Sequence, residues 1–174
     1  QVDTICLWPN DGINEACQCE KCKNYSKMEN YTYLVDQVAR RVSKKRNYVK
    51  IDMLTYNDMY KCELNDVSSS VVVDQSTLLD SGLRSVGKPD GSCLIGTHFE
   101  DIVSEWKKSG AEVVFYDYFM GVYGSKQKWL PMADEMQAIC KFFKEKGILG
   151  LGTQIEVYNM WNNIFNFFTF FRIL

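Results

Sequence analysis

The chain alternates between two hydrophobic rhythms. Short runs rich in β-branched and aromatic residues, Thr4 to Trp8, Val49 to Tyr56, Ser70 to Asp74, Glu112 to Phe119 and Ile148 to Glu156, have the length and make-up of strands. Between them apolar residues recur at helical spacing, as Phe99, Ile102, Val103 and Trp106 in one segment and Met136, Ile139, Cys140 and Phe143 in another. That spacing gathers each set on one helix face. Gly110 follows the first segment, and Pro131 and Gly147 bracket the second, where helices begin and stop. Two further helices are predicted, over Tyr31 to Lys45 and from about Tyr158 onward. The latter presents Trp161, Ile164, Phe165, Phe168 and Phe171 on a face that needs a partner. The stretch from Gln75 to Gly96 holds Gly82, Gly87, Pro89, Asp90 and Gly91 and reads as a long ordered loop.

Strands alternating with helices predict the α/β class and a mainly parallel sheet, whose strands must be covered on both faces or closed into a barrel. Five such units are too few for a closed barrel. Residues 1–174 are therefore expected to form a single fragment of a (β/α)8 TIM-type barrel, roughly its C-terminal half, with the abrupt start and stop read as those of a cut-out piece. The competing architecture is an open doubly wound sheet. No Gly-rich phosphate loop follows any predicted strand.

Composition narrows the function classes. With 46% apolar and 24% charged residues the chain is outside the disordered class, and 20 basic against 22 acidic residues give a net charge of −2. No electrostatic footprint for nucleic acid or an anionic membrane is present, so neither is an expected partner. The most apolar run, Ile164 to Phe171, is too short to span a bilayer. Gln1 leads straight into a predicted strand, so targeting information is expected to have been removed or never to have belonged to this piece. The sequons at Asn24 and Asn30 read as chance occurrences.

The sharpest local motif is Cys17-Gln-Cys19-Glu-Lys-Cys22 in the loop after the first strand. Three thiols this close converge easily on a soft metal, and Zn²⁺ takes four ligands in tetrahedral geometry. Cys93 and His98 are candidates for the fourth. Oxidation is the alternative, with Cys93 bridged to one member of the cluster as in a secreted enzyme. The number of cysteines, seven, is odd, and Cys6 in a strand and Cys140 on an apolar helix stripe read as core residues. His98 is the sole histidine and precedes a helix, and no Ser lies in a GxSxG turn, so hydrolase-elbow chemistry has no support.

Strand ends carry the remaining chemistry. Alternation along Ile148 to Glu156 puts Leu149, Leu151, Thr153 and Ile155 on one face and Gly150, Gly152, Gln154 and Glu156 on the other, the second suited to a barrel interior opening at its mouth. Asp117 lies between Tyr116 and Tyr118 at a corresponding end, while Trp8 with Asp11, and Tyr56 with Asn57 and Asp58, end two more strands. Acids, amides and aromatic faces at one rim suit a sugar, which offers hydroxyls to hydrogen-bond and C–H faces to stack on. Asp117 and Glu156 are the candidate catalytic acids, and Trp8, Asp11, Tyr56, Asn57, Tyr116 and Tyr118 the candidate substrate contacts. Taken singly, Asp11 and Asp58 read as solvated loop carboxylates.

Trp8-Pro-Asn-Asp11-Gly12, the CxCxxC loop, Val38-Ala39-Arg40-Arg41, Leu54-Thr-Tyr56, Cys93, Phe115-Tyr-Asp117-Tyr118, Lys146-Gly-Ile-Leu-Gly150 and the terminal Phe171-Arg172-Ile173-Leu174 together resemble the family catalogued as domain of unknown function 4838. The resemblance covers nearly the whole chain. It implies a (β/α)8 barrel related to α-glucuronidases and other glycoside hydrolases, usually within larger, often secreted bacterial proteins, so a secreted or periplasmic location is expected. Similarity to α-glucuronidases, which pair an Asp and a Glu on successive late strands, implies the same pairing for Asp117 and Glu156, matched by strand order alone. The chain lacks the family's first barrel strands, and with them a general acid.

The expected function is that of a glycoside hydrolase barrel fragment acting on a complex or acidic glycan, inactive alone. It needs no cofactor for catalysis and carries at most a structural Zn²⁺ on Cys17, Cys19, Cys22 and Cys93. Its partners are then a carbohydrate and either the missing barrel half or a second copy. Two other readings stand beside it, a carbohydrate-binding barrel without catalysis and a zinc-stapled interaction module.

Overall fold

The computed structural model describes residues 2–9, 16–55, 61–76, 99–117, 133–153 and 164–173. Its elements are β1 (Thr4–Cys6), α1 (Lys27–Ser43), β2 (Lys50–Thr55), β3 (Val71–Ser76), α2 (Phe99–Ser109), β4 (Glu112–Asp117), α3 (Ala133–Lys146), β5 (Leu151–Thr153) and α4 (Ile164–Ile173). The five strands form one parallel sheet in the order β1-β2-β3-β4-β5. A doubly wound sheet reverses direction at a switch point, whereas here every step goes the same way, which is the winding a barrel uses.

By contact the chain divides into two compact units, Gln1–Gln75 with Glu100–Val114, and Ser76–Phe99 with Phe115–Leu174. In the first, the register aligns Ile5 with Ile51 and Cys6 with Asp52, then Ile51 with Val71 and Met53 with Val73. Residues opposite one another share a face. Ile51, Met53, Val71 and Val73 are fully buried on one face, where they meet the apolar stripe of α1 that includes Val35 and Ala39. The other face carries Lys50, Asp52, Leu54, Val72 and Asp74.

Polar ties fix α1 against the segment leading into β3. Asp36, buried on α1, accepts from Arg40 Nε at 2.7 Å and from the Ser68 backbone N–H at 2.8 Å, and Arg40 reaches on to Asp66 at 3.1 Å. A buried carboxylate is tolerable only when paired in this way. The helix starts one turn earlier than its apolar period predicts, at Lys27, because Ser26 and Glu29 close a reciprocal capping box across its first turn. Ser26 Oγ also donates to Glu63.

In the second unit, Phe115 packs its ring 4.6 Å from Phe143, and Phe115 pairs with Leu151 while Tyr116 pairs with Gly152. Leu151 therefore shares the helix-covered face of Phe115, and Gly152 the opposite one, as alternation predicts. Helix α3 buries Met136, Phe142 and Phe143.

Two expectations need correction. Strand β3 runs on to Ser76, so the first residues of the expected loop belong to the sheet. Cys6 is exposed, as are all three residues of β1, because the strand stands at the edge of the sheet. On α4, Phe165, Phe168 and Phe171 are 68%, 61% and 58% exposed, in keeping with a face that needs a partner, while among the described residues Asn166 and Phe170 are buried. With Phe on all sides of that helix, periodicity cannot choose a face. Tyr158 to Asn163 lie outside the described residues. Among the described residues, no helix is long and apolar enough to cross a membrane.

Candidate functional site

The first unit contains two groupings of reactive side chains. One is built on adjacent strands. Register sets Asp52 of β2 beside Cys6 of β1, and places Asp74 on β3 opposite Leu54, two residues further along the same face. Strand geometry puts the two Asp Cα atoms about 8 Å apart, from a rise of ~3.3 Å per residue and a strand spacing of ~4.8 Å. Asp52 is only 7% exposed, and its Oδ2 accepts from Trp8 Nε1 at 2.7 Å. Trp8 is held in turn through its neighbour, since Tyr31 Oη on α1 donates to the Leu7 carbonyl at 2.7 Å.

Asp74 differs from its neighbour. Its Oδ1 is buried and has no hydrogen-bond partner among the described residues. Burial, with the Asp52 charge adding to it, raises its pKa from the ordinary carboxyl value to about 7. Cys6 faces the same carboxylates. Burial of its sulfur, its hydrogen bond to Asp52 and the Asp52 and Asp74 charges hold its thiol above the ordinary value. The two acidic side chains thus have different surroundings, Asp52 accepting from an indole N–H and Asp74 keeping its proton to near neutrality.

The second grouping is the thiol cluster. The Sγ atoms of Cys17, Cys19 and Cys22 all lie within 4.8 Å of one another, with Cys17 and Cys19 exposed and Cys22 half-buried. The loop is shaped by backbone hydrogen bonds from Cys22 and Lys23 N–H to the Cys19 carbonyl and from Tyr25 N–H to the Cys22 carbonyl, at 2.9–3.0 Å. Asn30 on α1 donates its side-chain amide to the same Cys22 carbonyl at 3.1 Å. Cys19 is lowered to about 7, first by the Cys22 backbone N–H and then by the Cys17 thiol. Cys22 is pushed up to about 11 by Cys19 and then Cys17.

Of the residues singled out in the sequence, the structure brings Cys17, Cys19 and Cys22 together, and Trp8 stands half-exposed at the end of β1 beside Asp52. Tyr116 lies on β4, with its Cδ2 3.5 Å from where a Cβ on Gly152 would stand. Asp117 ends β4, paired with Thr153. Asp11, Tyr56, Asn57, Tyr118, Glu156, Cys93 and His98 lie outside the described residues. Sequence reasoning missed Asp52 and Asp74. A signal was present, because an acid in mid-strand, as in Lys50-Ile-Asp-Met-Leu-Thr and Val-Val-Val-Asp-Gln-Ser, is costly in a sheet buried on both faces. No family model, curated protein or solved structure matches the chain.

Proposed function

We propose that the chain is part of a carbohydrate-active (β/α)8-type barrel, roughly its C-terminal half, that hydrolyses glycosidic bonds in a complex or acidic glycan. The observation that carries this reading is Asp74, a carboxyl protonated to near neutral pH beside the indole-held carboxylate of Asp52. Glycoside hydrolysis needs one carboxyl to protonate the leaving oxygen and a second, ionised, to activate water or attack the anomeric carbon, at separations of about 5–9.5 Å. Asp74 is suited to the first role and Asp52 to the second. The half-exposed indole of Trp8 adds an apolar face of the kind sugars stack on. Strands wound in one direction support the barrel, whose inner face is the one away from the helices. The resemblance noted from the sequence leads to the same class, and Asp117 with Glu156 remains the candidate acid pair of the second unit. Secretion accords with that class of protein.

The test is turnover on a panel of aryl glycosides and polysaccharides by the longest natural form of the chain. Hydrolysis is expected, reduced about 10²-fold or more by Asp74→Asn, the loss typical of removing a general acid. Turnover untouched by Asp74→Asn and Asp52→Asn but abolished by Glu156→Gln moves the chemistry to the second unit. Glycan binding by calorimetry without any product leaves the non-catalytic barrel in its place. Neither binding nor turnover ends the carbohydrate reading.

A further inference from the structure

We propose that Cys17, Cys19 and Cys22 are three thiolate ligands of one soft d¹⁰ metal ion, Zn²⁺ by chemical class, bound on the loop that leads into α1. The inference stands apart from the glycosidase reading, since neither carboxylate takes part. Tetrahedral coordination with Zn–S bonds of about 2.3 Å spaces neighbouring sulfurs about 3.8 Å apart. The three Sγ atoms already lie within 4.8 Å of each other, so drawing them onto an ion takes a movement of about 1 Å in side chains that are exposed or half-buried. A disulfide would use two of them and strand the third beside it, whereas an ion uses all three. The ion's fourth position is filled from outside the loop.

Three thiolates on a divalent cation leave one negative charge, and Lys21 and Lys23 lie within the same short stretch. The site is also anchored before any metal arrives. Asn30 holds the Cys22 carbonyl, and the Ser26–Glu29 capping box fixes the start of α1 directly after the loop. One residue beyond Asn30, Tyr31 holds the Leu7 carbonyl next to Trp8. Metal binding would thus stiffen the helix end from which the Trp8–Asp52 contact is positioned.

Cobalt is the spectroscopic probe. Reduced protein titrated anaerobically with Co²⁺ should develop a sulfur-to-cobalt charge-transfer band and tetrahedral d–d bands, saturate at one ion per chain, and lose both on adding Zn²⁺. Cys17→Ser, Cys19→Ser and Cys22→Ser should each remove most of the charge-transfer intensity, while Cys6→Ser and Cys62→Ser retain it. Variants that fail to fold do not affect the second measurement, made on the wild-type chain: Zn²⁺ should protect Cys17, Cys19 and Cys22 together from alkylation, as read by peptide mapping. Absence of the charge-transfer band in fully reduced protein, zinc protection of other cysteines in place of these, or a disulfide within residues 17–22 in protein isolated without reductant would each overturn the proposal.

Discussion

The burial of Asp74 carries a stability cost. Its pKa is raised, to about 7 from an ordinary value of 3.8, so the folded chain keeps a proton that the unfolded chain has released. Below pH ~4 both states are protonated and the residue is neutral to stability. Between pH ~4 and ~7 stability falls as pH rises, and above about 7 the loss is complete. At ~1.4 kcal/mol per pH unit the loss amounts to at most about 4 kcal/mol. Asp74→Asn, which cannot ionise and offers an amide donor toward Asp52, should therefore be more stable than wild type at pH 8, with the difference vanishing near pH 4. Urea midpoints at the two pH values read this directly, and equal midpoints at pH 8 would show that Asp74 is not a desolvated acid. If Asp74 is the general acid proposed above, the same substitution should abolish most turnover, exchanging activity for stability. Cys6 and Asp52 show why such residues hide in a sequence. Each sits in a strand that reads as core, and only the register shows which face it occupies.

At the scale of elements, the termini of strands and helices are set by single contacts. Helix α2 ends at Ser109, and Gly110 follows with φ +105°, a backbone state that L side chains rarely adopt. A Cβ there would lie 2.7 Å from the Val67 carbonyl oxygen, while the Val67 N–H donates to the Ser109 carbonyl at 2.7 Å. The clash is with backbone, so it cannot be relieved by turning a side chain. Gly110→Ala should cost about 1–3 kcal/mol, seen as a lower urea midpoint with an unchanged slope. A midpoint within error of wild type would mean that the α2–β4 junction can shift freely. The sequence marked this glycine as a helix stop, correctly. It could not show that the position also meets Val67, which arrives from a distant part of the chain. The early start of α1 was legible in principle, since Ser26-x-x-Glu29 is a capping signature, but the apolar period alone begins later.

At the scale of the molecule, the sheet's first strand is a hazard. β1 is three residues long, is exposed, and pairs with β2 on one side. Among the described residues nothing pairs with its other edge, and an unpaired strand edge invites a second copy. The exposed Phe165, Phe168 and Phe171 add an apolar surface in the second unit. Association is the expected behaviour, with the weight-average mass in sedimentation equilibrium rising with concentration. A single monomeric mass across a hundredfold range of concentration would show that other parts of the protein close the edge.

The sequence by itself determined the α/β class of the fold. Runs of strand length separated by 3.6-residue periods have one economical arrangement, a parallel sheet with helical crossovers, and the stripe of Ile102, Val103 and Trp106 is buried as its spacing requires. It also determined the thiol cluster, because three cysteines within six residues cannot lie far apart. Other features needed the tertiary structure. Whether Asp52 and Asp74 are neighbours depends on the pairing of β2 with β3, and a shift of one residue would send one of them to the opposite face. The pKa of Asp74 depends on how much water reaches it, a property of packing, and the buried face of α4 depends on what lies beside it. Periodicity is a local quantity that a chain carries in its order, whereas register, burial and the field of a neighbouring charge exist only once distant segments have met.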